Sequence, residues 1–587
     1  METEKVIGTL VGESTSKEFR LAVTPEATRE QDIIAVDATL NETENGGELK
    51  KIRIWAKVQR IERINPLFPA EAGHELAETQ TDPMDTVLSL SREMVSAVCQ
   101  VIGYEQLTTG GWSGKLESLR YPPKPATRAY GPDPADLKRV LVGKLEDESQ
   151  SAINIATLSN RDNVDVEVDG NAIVTRHLAI LAMTGAGKSW TARRIIEQLA
   201  DKNYPMVIFD PHGDYTRLGE IESLNNKVNR YHATLAIFEE DADTVAQIIG
   251  NLADNPLTPA MNALFGDLFN ASRRFNEAEG SERINWLANR LNDNRIRQNG
   301  IKPDLWLIAN IADAAFQSIK DAAFQSIKDA GDGNTYDFEY LKHICWENLK
   351  EKERRDTLQG IYGRARVAAS ELRKMERVNQ RITGESQPMP QNREELVQYG
   401  KISVISLAGY TGDFQATIYS IIAEELFEAK VNERLQLPFL LLLEEAHNFI
   451  PSRGTASAQK QSIAITKQIA REGRKFHVGL VVISQRPSRL DETTLSQCNS
   501  YIIMRMVNPA DQTFVKRVVE SLGEEEASLL PNLEVGEALL SGQMVNFPIL
   551  VKMKEPEFRG GLGNTNAFLQ LEEVHDREVR DPVRSSF

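Results

Sequence analysis

The run Ala182-Met183-Thr184-Gly185-Ala186-Gly187-Lys188-Ser189 has the residue types and the spacing to hold a triphosphate. An apolar stretch, Leu178-Ala179-Ile180-Leu181, leads into it, and Trp190-Thr191-Ala192-Arg193-Arg194-Ile195-Ile196 leads out with a helical pattern. A short strand, a small-residue loop and a Lys-Ser pair opening a helix make a phosphate-binding loop. Thr184, Gly185, Ala186 and Gly187 offer backbone N–H groups, Lys188 reaches the β/γ oxygens, and the Ser189 hydroxyl ligates Mg2+. Trp190 completes the run of nucleotide-contacting residues. The first position of G-x-x-x-x-G-K-[ST] is occupied by Ala182 instead of glycine. Alanine resists positive φ, so the first turn of the loop departs from the pattern.

Further carboxylates and cations could serve the same phosphates. Leu440-Leu441-Leu442-Leu443-Glu444-Glu445 is a buried strand ending in an acidic pair. In phosphate-loop enzymes the first carboxylate (here Glu444) holds the Mg2+ shell, and the second (Glu445) polarises the attacking water. The first is usually Asp, and Glu444 is one methylene longer. Ile483-Ser484-Gln485-Arg486 closes a later strand, from which Gln485 can report on the γ-phosphate or simply make a turn. Asp210 ends a strand on the ligand-binding edge of an α/β sheet and could orient water or metal. His212 in the following turn is as readily structural as nucleotide-contacting. Arg471 and Arg474, before a core strand, could end a solvated helix or supply a finger to a neighbouring subunit's nucleotide. Arg176, ahead of the phosphate-loop strand, is a second candidate for such a contact. Leu540-Ser541-Gly542-Gln543 resembles the ABC-transporter signature but lacks its second glycine and lies after the acidic pair, so that family is excluded.

The elements that must position these residues follow from pattern. Phe19–Val23, Ile33–Val36 and Ile52–Val58 are short strands separated by turns, as in a small barrel. Val87, Leu88, Met94, Val95, Val98, Val101 and Ile102 predict a helix over about 84–103. The proline-rich stretch Tyr121–Pro134 predicts a flexible joint. Val140–Gly143 and Val164–Val168 are expected strands, as is Met206–Asp210. Thereafter the β signal disappears for roughly 170 residues of amphipathic helix. That region contains Asp313–Lys320 repeated verbatim as Asp321–Lys328, a local duplication and not a solenoid. Strands resume at 402–405, 439–443, 479–483 and 501–504. Continuous apolar strands alternating with helices imply a parallel sheet covered on both faces. The polar residues from Pro556 onward are expected to form a tail or an arm.

Bulk properties narrow the classes. A chain of 587 residues makes several domains, and its 41% hydrophobic and 26% charged content fits an ordinary soluble protein. There is no run of about 18 apolar residues and no leader-like N-terminus, so a cytoplasmic protein without membrane contact is expected. Three cysteines without a C-x-x-C pair argue for a reducing compartment and against structural zinc. A net charge of −17 argues against coating nucleic acid with the outer surface, though not against a narrow basic channel.

Taken together, Arg176-His177 before the loop, Asp210-Pro211-His212-Gly213-Asp214-Tyr215, Glu444-Glu445-Ala446-His447, Ala470–Lys475 and Ser484-Gln485-Arg486 resemble the HerA family of the FtsK–HerA superfamily. The resemblance implies an α/β fold: a RecA-like P-loop ATPase core with an N-terminal β-barrel and a helical insertion. The corresponding segments are a barrel region with linker at 1–140, the first core part at 141–225, the insertion at 226–397, the second core part at 398–555 and a tail at 556–587. It implies ATP and Mg2+, a homohexamer around double-stranded DNA in a central pore, and a partner that is a NurA-like nuclease or a sirtuin-like or other defence effector. Arg453 and Lys460, in the small polar segment after the acidic pair, are candidate DNA contacts or plain surface residues. The cations Arg354, Arg355, Arg364, Arg366, Arg373, Lys374 and Arg377 are expected on a solvated helical face. A reading from another class stands beside the translocase: an ATP-binding ring scaffold that regulates an effector enzyme without moving along DNA.

Overall fold

The computed structural model describes residues 5–24, 26–41, 49–64, 94–109, 111–142, 151–277, 282–299, 304–325, 351–380 and 386–557. Two compact units divide the chain. The first comprises Met1–Lys202, Gln485–Ser488 and Cys498–Pro556, and the second Asn203–Ser484, Arg489–Gln497 and Glu557–Phe587.

The first unit opens with a closed six-stranded barrel. Its strands are β1 (Lys5–Ser14), β2 (Glu18–Val23), β3 (Ile33–Asn41), β4 (Leu49–Ile64), β5 (Met94–Thr108) and β7 (Arg128–Gly131), with the two-residue β6 (Gly111–Trp112) added to β5. They run β2-β1-β7-β3-β4-β5, and β2 pairs with β5 to close the circle. Phe19, Leu21, Val36, Ile54, Val58, Ala97 and Cys99 fill the interior. The helix expected over 84–103 is therefore corrected for 94–103, which is strand; Val87 and Leu88 lie outside the described residues. Val95, Ala97 and Cys99 alternate into the barrel interior, but the intervening Val98 is apolar and buried as well, and apolar residues on both faces of a strand leave spacings that mimic a helical period. The proline-rich joint also contains a barrel strand, β7.

Val140–Val142 is not a strand either. Asp133 accepts from the Asp136 amide at 2.8 Å, Pro134 takes the first position, and the helix Pro134–Val142 follows, burying Leu137, Val140 and Leu141 on one face. The rest of the first unit is a sheet of β10 (Leu178–Leu181), β17 (Ser500–Met504), β18 (Glu537–Gly542), β19 (Ile549–Met553), β8 (Ala152–Leu158) and β9 (Arg161–Asp169), in that order. β10 and β17 are parallel, while the remaining pairs are antiparallel, so the expectation of an all-parallel sheet holds only in part.

In the second unit β13 (Gln387–Pro388), β12 (Val228–His232), β14 (Ile402–Ser406), β11 (Met206–Asp210), β15 (Phe439–Leu443) and β16 (Val478–Ser484) lie in that order, every pair parallel. β12 and β13 fall inside the segment expected to be wholly helical. Of Val228-Asn229-Arg230-Tyr231-His232 only Tyr231 is buried, so no apolar run marks the strand. Helices occupy Ala242–Leu252, Pro259–Glu277, Glu282–Leu291, Asn294–Asn299, Leu305–Gln325 and Glu351–Asn379. The first copy of the duplicated octapeptide sits in Leu305–Gln325, and the end of the second, from residue 326, lies outside the described residues. Cations of the last helix are used in packing. Arg364 donates to the Asn255 carbonyl and side chain at 2.9 Å each, Arg373 stacks 4.4 Å over Trp306, and Lys374 pairs with Glu371 at 2.6 Å.

Candidate functional site

The phosphate loop belongs to the first unit. β10 is wholly buried, and the helix Lys188–Asp201 starts at Lys188 with Gly187 as its N-cap at φ 106°. Gly185 is also left-handed, at φ 80°. A Cβ on Gly187 would stand 3.2 Å from Met504 Cε and 3.5 Å from the Gly536 nitrogen, so the positive φ asks for glycine and the Met504 methyl would have to shift slightly besides. Ala182 is fully buried and is not among the residues with positive φ, which explains why alanine is accepted there. Thr184 and Gly185 are exposed, Ala186 is buried, Lys188 is buried at the helix start, and Ser189 is half-buried. Trp190 is exposed. An exposed small-residue turn capped by a helix N-terminus, with a lysine at that terminus, is the arrangement that binds phosphate oxygens.

Gln485 reaches this loop: the Thr184 hydroxyl donates to Gln485 Oε1. Sequence reasoning missed two supports. Met504, at the end of β17, contacts the loop helix through the Thr191 hydroxyl at 3.5 Å. Gly536, at φ 87°, donates its amide to the Ala186 carbonyl at 3.0 Å. Neither carries a motif, because both act through position alone. Arg176 bonds Gln543 within the chain.

The acidic residues belong to the second unit, where β11 and β15 are neighbours in parallel register, Phe209 opposite Leu443. Asp210 and Glu444, each next along its strand, therefore come to the same sheet edge, and the Glu444 amide donates to the Phe209 carbonyl at 3.2 Å. Both carboxylates are fully buried. Asp210 is given over to its own turn. Oδ1 accepts from the amides of His212, Gly213 and Asp214 at 3.3, 2.8 and 3.1 Å, and Oδ2 from Tyr215 at 2.8 Å. Burial, with Asp214 and Glu444 nearby, pushes Asp210 up to about 7 against the amides that favour its charge. The turn delivers the buried Tyr215, whose hydroxyl donates to Glu444 Oε2 at 2.6 Å. Burial and the Glu444 charge raise the Tyr215 phenol well above its ordinary range, so it stays a donor.

Glu445 is 3% exposed and left-handed at φ 46°, a conformation costly for a non-glycine residue and frequent at functional sites. His447 Nδ1 lies 3.3 Å from Glu445 Oε2. His212 is exposed. Arg471 and Arg474 are exposed near the end of the helix Ser457–Phe476, and neither has a carboxylate within ion-pairing distance among the described residues. Arg453 is exposed. Lys460 is exposed too, but it lines a cavity of about 980 Å³ together with Asp241, Asp243, Asp254, Glu424, Glu425 and Glu428. That surrounding is acidic, which disfavours a phosphate contact by Lys460. No group of three or more His, Cys, Asp or Glu among the described residues could hold a metal by itself. The Ser189 hydroxyl at the start of the loop helix is a hard oxygen donor of the kind Mg2+ takes, with phosphates and water able to complete its shell.

Residues 153–426 match the family described as "Helicase HerA, central domain". A probable DNA double-strand break repair helicase HerA of Methanocaldococcus jannaschii is 31% identical over 415 residues, 68% of this chain and 76% of that protein. The chain belongs to the HerA helicase family. A second HerA, the DNA double-strand break repair helicase of Pyrococcus furiosus, is 29% identical over 444 residues, 70% of this chain and 71% of the relative. Among solved structures, plasmid coupling protein TrwB with a non-hydrolysable ATP analogue is similar at 15% identity and a TM-score of 0.40, covering 72% of this chain and 92% of that one. As in the reading from sequence, the HerA chain is α/β with an N-terminal β-barrel. No helix among its described residues is long and apolar enough to cross a membrane.

Proposed function

We propose that this HerA-family chain is an ATP-hydrolysing motor that moves along double-stranded DNA as a homohexamer, with a NurA-like nuclease or another effector as partner. The observation that carries the reading is the bond between Thr184 of the phosphate loop and Gln485, since it joins a γ-phosphate reporter to the loop that holds the nucleotide. The names of the relatives, DNA double-strand break repair helicases, support the DNA substrate.

In this reading the loop amides and Lys188 bind the phosphates, Ser189 and Glu444 hold Mg2+, and Glu445 takes the proton of the attacking water. When bound, Mg2+ supplies charge neutralisation on the β/γ-phosphate oxygens. His447 is within reach to orient Glu445. Gln485, bonded to Thr184, senses loss of the γ-phosphate. Arg471 or Arg474, exposed and without a carboxylate partner among the described residues, suits a contact to a neighbouring subunit's nucleotide. Arg453 is the better DNA candidate of the two cations after the acidic pair, because Lys460 lines a cavity rich in carboxylates.

The test is ATPase activity with and without duplex DNA across a salt series. A motor that contacts several phosphates is stimulated by DNA and loses that stimulation steeply as salt rises. An equal rate with and without DNA at every salt concentration would overturn translocation and leave the ring-scaffold reading.

A further inference from the structure

Glutamate at position 444 carries one more torsion than the aspartate usual at that place, so something must hold its carboxylate. In this fold the holder is in contact with it. The Tyr215 hydroxyl donates to Glu444 Oε2 at 2.6 Å, and both side chains are fully buried. The tyrosine itself is fixed from below. Its amide donates to Asp210 Oδ2 at 2.8 Å, and the three preceding amides converge on Asp210 Oδ1. Gly213, at φ 83°, allows the turn to close that tightly. The route runs from the end of β11, through the Asp210 turn, to the end of β15.

The geometry points to Tyr215 as a positioning residue for Glu444: its hydroxyl restricts the carboxylate to one orientation and thereby sets the affinity for the divalent cation that accompanies ATP. A buried carboxylate that loses such a donor gains alternative rotamers and an unmet acceptor. The Asp210–Tyr215 turn is then the device that makes glutamate serviceable at position 444. This rests on the reading of Glu444 as the carboxylate on the Mg2+ side.

The experiment uses the full chain and equilibrium binding of a fluorescent non-hydrolysable ATP analogue, titrated with Mg2+ from a chelator-treated start. Tyr215→Phe removes one oxygen and keeps the ring's packing, and a thermal melt checks that the protein is folded. The Mg2+ concentration for half-maximal enhancement of binding should rise about 10-fold in Tyr215→Phe, with affinity in chelator unchanged. Glu444→Gln should raise it as well, and adding Tyr215→Phe to Glu444→Gln should change nothing further, because the hydroxyl acts only through that carboxylate. If Glu444→Gln shifts the Mg2+ requirement and Tyr215→Phe does not, the positioning role is wrong while the assignment of Glu444 stands. If neither shifts it, the assignment of Glu444 falls and the positioning role with it. Additive shifts in the double variant would overturn action through Glu444.

Discussion

Lys57 Nζ stands 2.6 Å from Glu526 Oε1, with both side chains buried and the two residues 469 positions apart in the chain. This ion pair joins barrel strand β4 to the helix Glu524–Leu529 within the first unit. Removing one partner of a buried pair leaves an uncompensated charge, at a cost of about 3–5 kcal/mol. Lys57→Met should therefore lower stability to denaturant by roughly that amount, and Lys57→Met with Glu526→Leu should recover most of it. Chemical denaturation of the single and double variants measures both. A single variant as stable as the parent would show that the pair does not hold.

Within the phosphate loop, two small residues should behave oppositely. Gly187→Ala puts a Cβ at φ 106° against Met504 and Gly536, with backbone strain of about 1–3 kcal/mol before any clash is relieved. It should abolish detectable nucleotide binding. Ala182→Gly, at a buried position that needs no positive φ, should leave binding within about fivefold, since it deletes one methyl and adds only the backbone freedom of glycine, a cost of roughly 0.5–1 kcal/mol. Isothermal titration with an ATP analogue compares them directly.

For the chemistry, Lys188→Ala should reduce ATP turnover by about 10²-fold or more, as loss of a transition-state contact does. Glu445→Gln should bind ATP and fail to hydrolyse it. Normal hydrolysis by Glu445→Gln would remove Glu445 from the base role.

If Arg471 acts across a subunit boundary, Arg471→Ala and Glu445→Gln subunits, each inactive alone, should partly restore activity when mixed. Fingers of this kind contribute about 10³-fold or more, so even a minority of intact interfaces would be visible in a steady-state assay. No restoration at any mixing ratio would exclude Arg471 from a contact in trans, and the same mixture with Arg474→Ala tests the other candidate.

Glu425 offers a pH signature in the acidic cavity of the second unit. Burial raises it to about 7, with Glu240, Asp241 and Glu428 reinforcing the shift and Arg393, whose Nε lies 4.0 Å away, opposing it. A carboxyl raised in the folded state stabilises below its ordinary value near 4.5, and that contribution is lost as pH rises through about 7. Glu425→Gln should melt a few degrees above the parent at pH 8, with the difference shrinking toward pH 5. A difference that does not change with pH would contradict it.

Much of the candidate site was legible in the linear chain, because its residues lie in short runs whose spacing already implies strand, turn and helix. Lys188 and Ser189 follow a glycine that caps a helix, and Glu444 and Glu445 follow five apolar residues, the length and composition of a buried strand. The misreadings arose where local pattern is ambiguous. Met94–Ile102 mimics a helical period because Val98 adds a buried apolar residue on the face opposite Val95, Ala97 and Cys99. Val228–His232 is a strand without an apolar run, because its pairing with β14 and β13 is made by backbone groups.

The sequence by itself determined the phosphate loop, the acidic pair, the family resemblance and the alternation that makes an α/β core, since each rests on neighbours in the chain. Only the tertiary structure decided that Ala182 needs no glycine, that Met504 and Gly536 back the loop, and that Lys460 shares a cavity with six carboxylates. It alone showed that Asp210 serves its turn while Tyr215 holds Glu444. Those relations depend on which strands lie side by side and in what register, and contacts between residues hundreds of positions apart leave no periodicity or spacing to read.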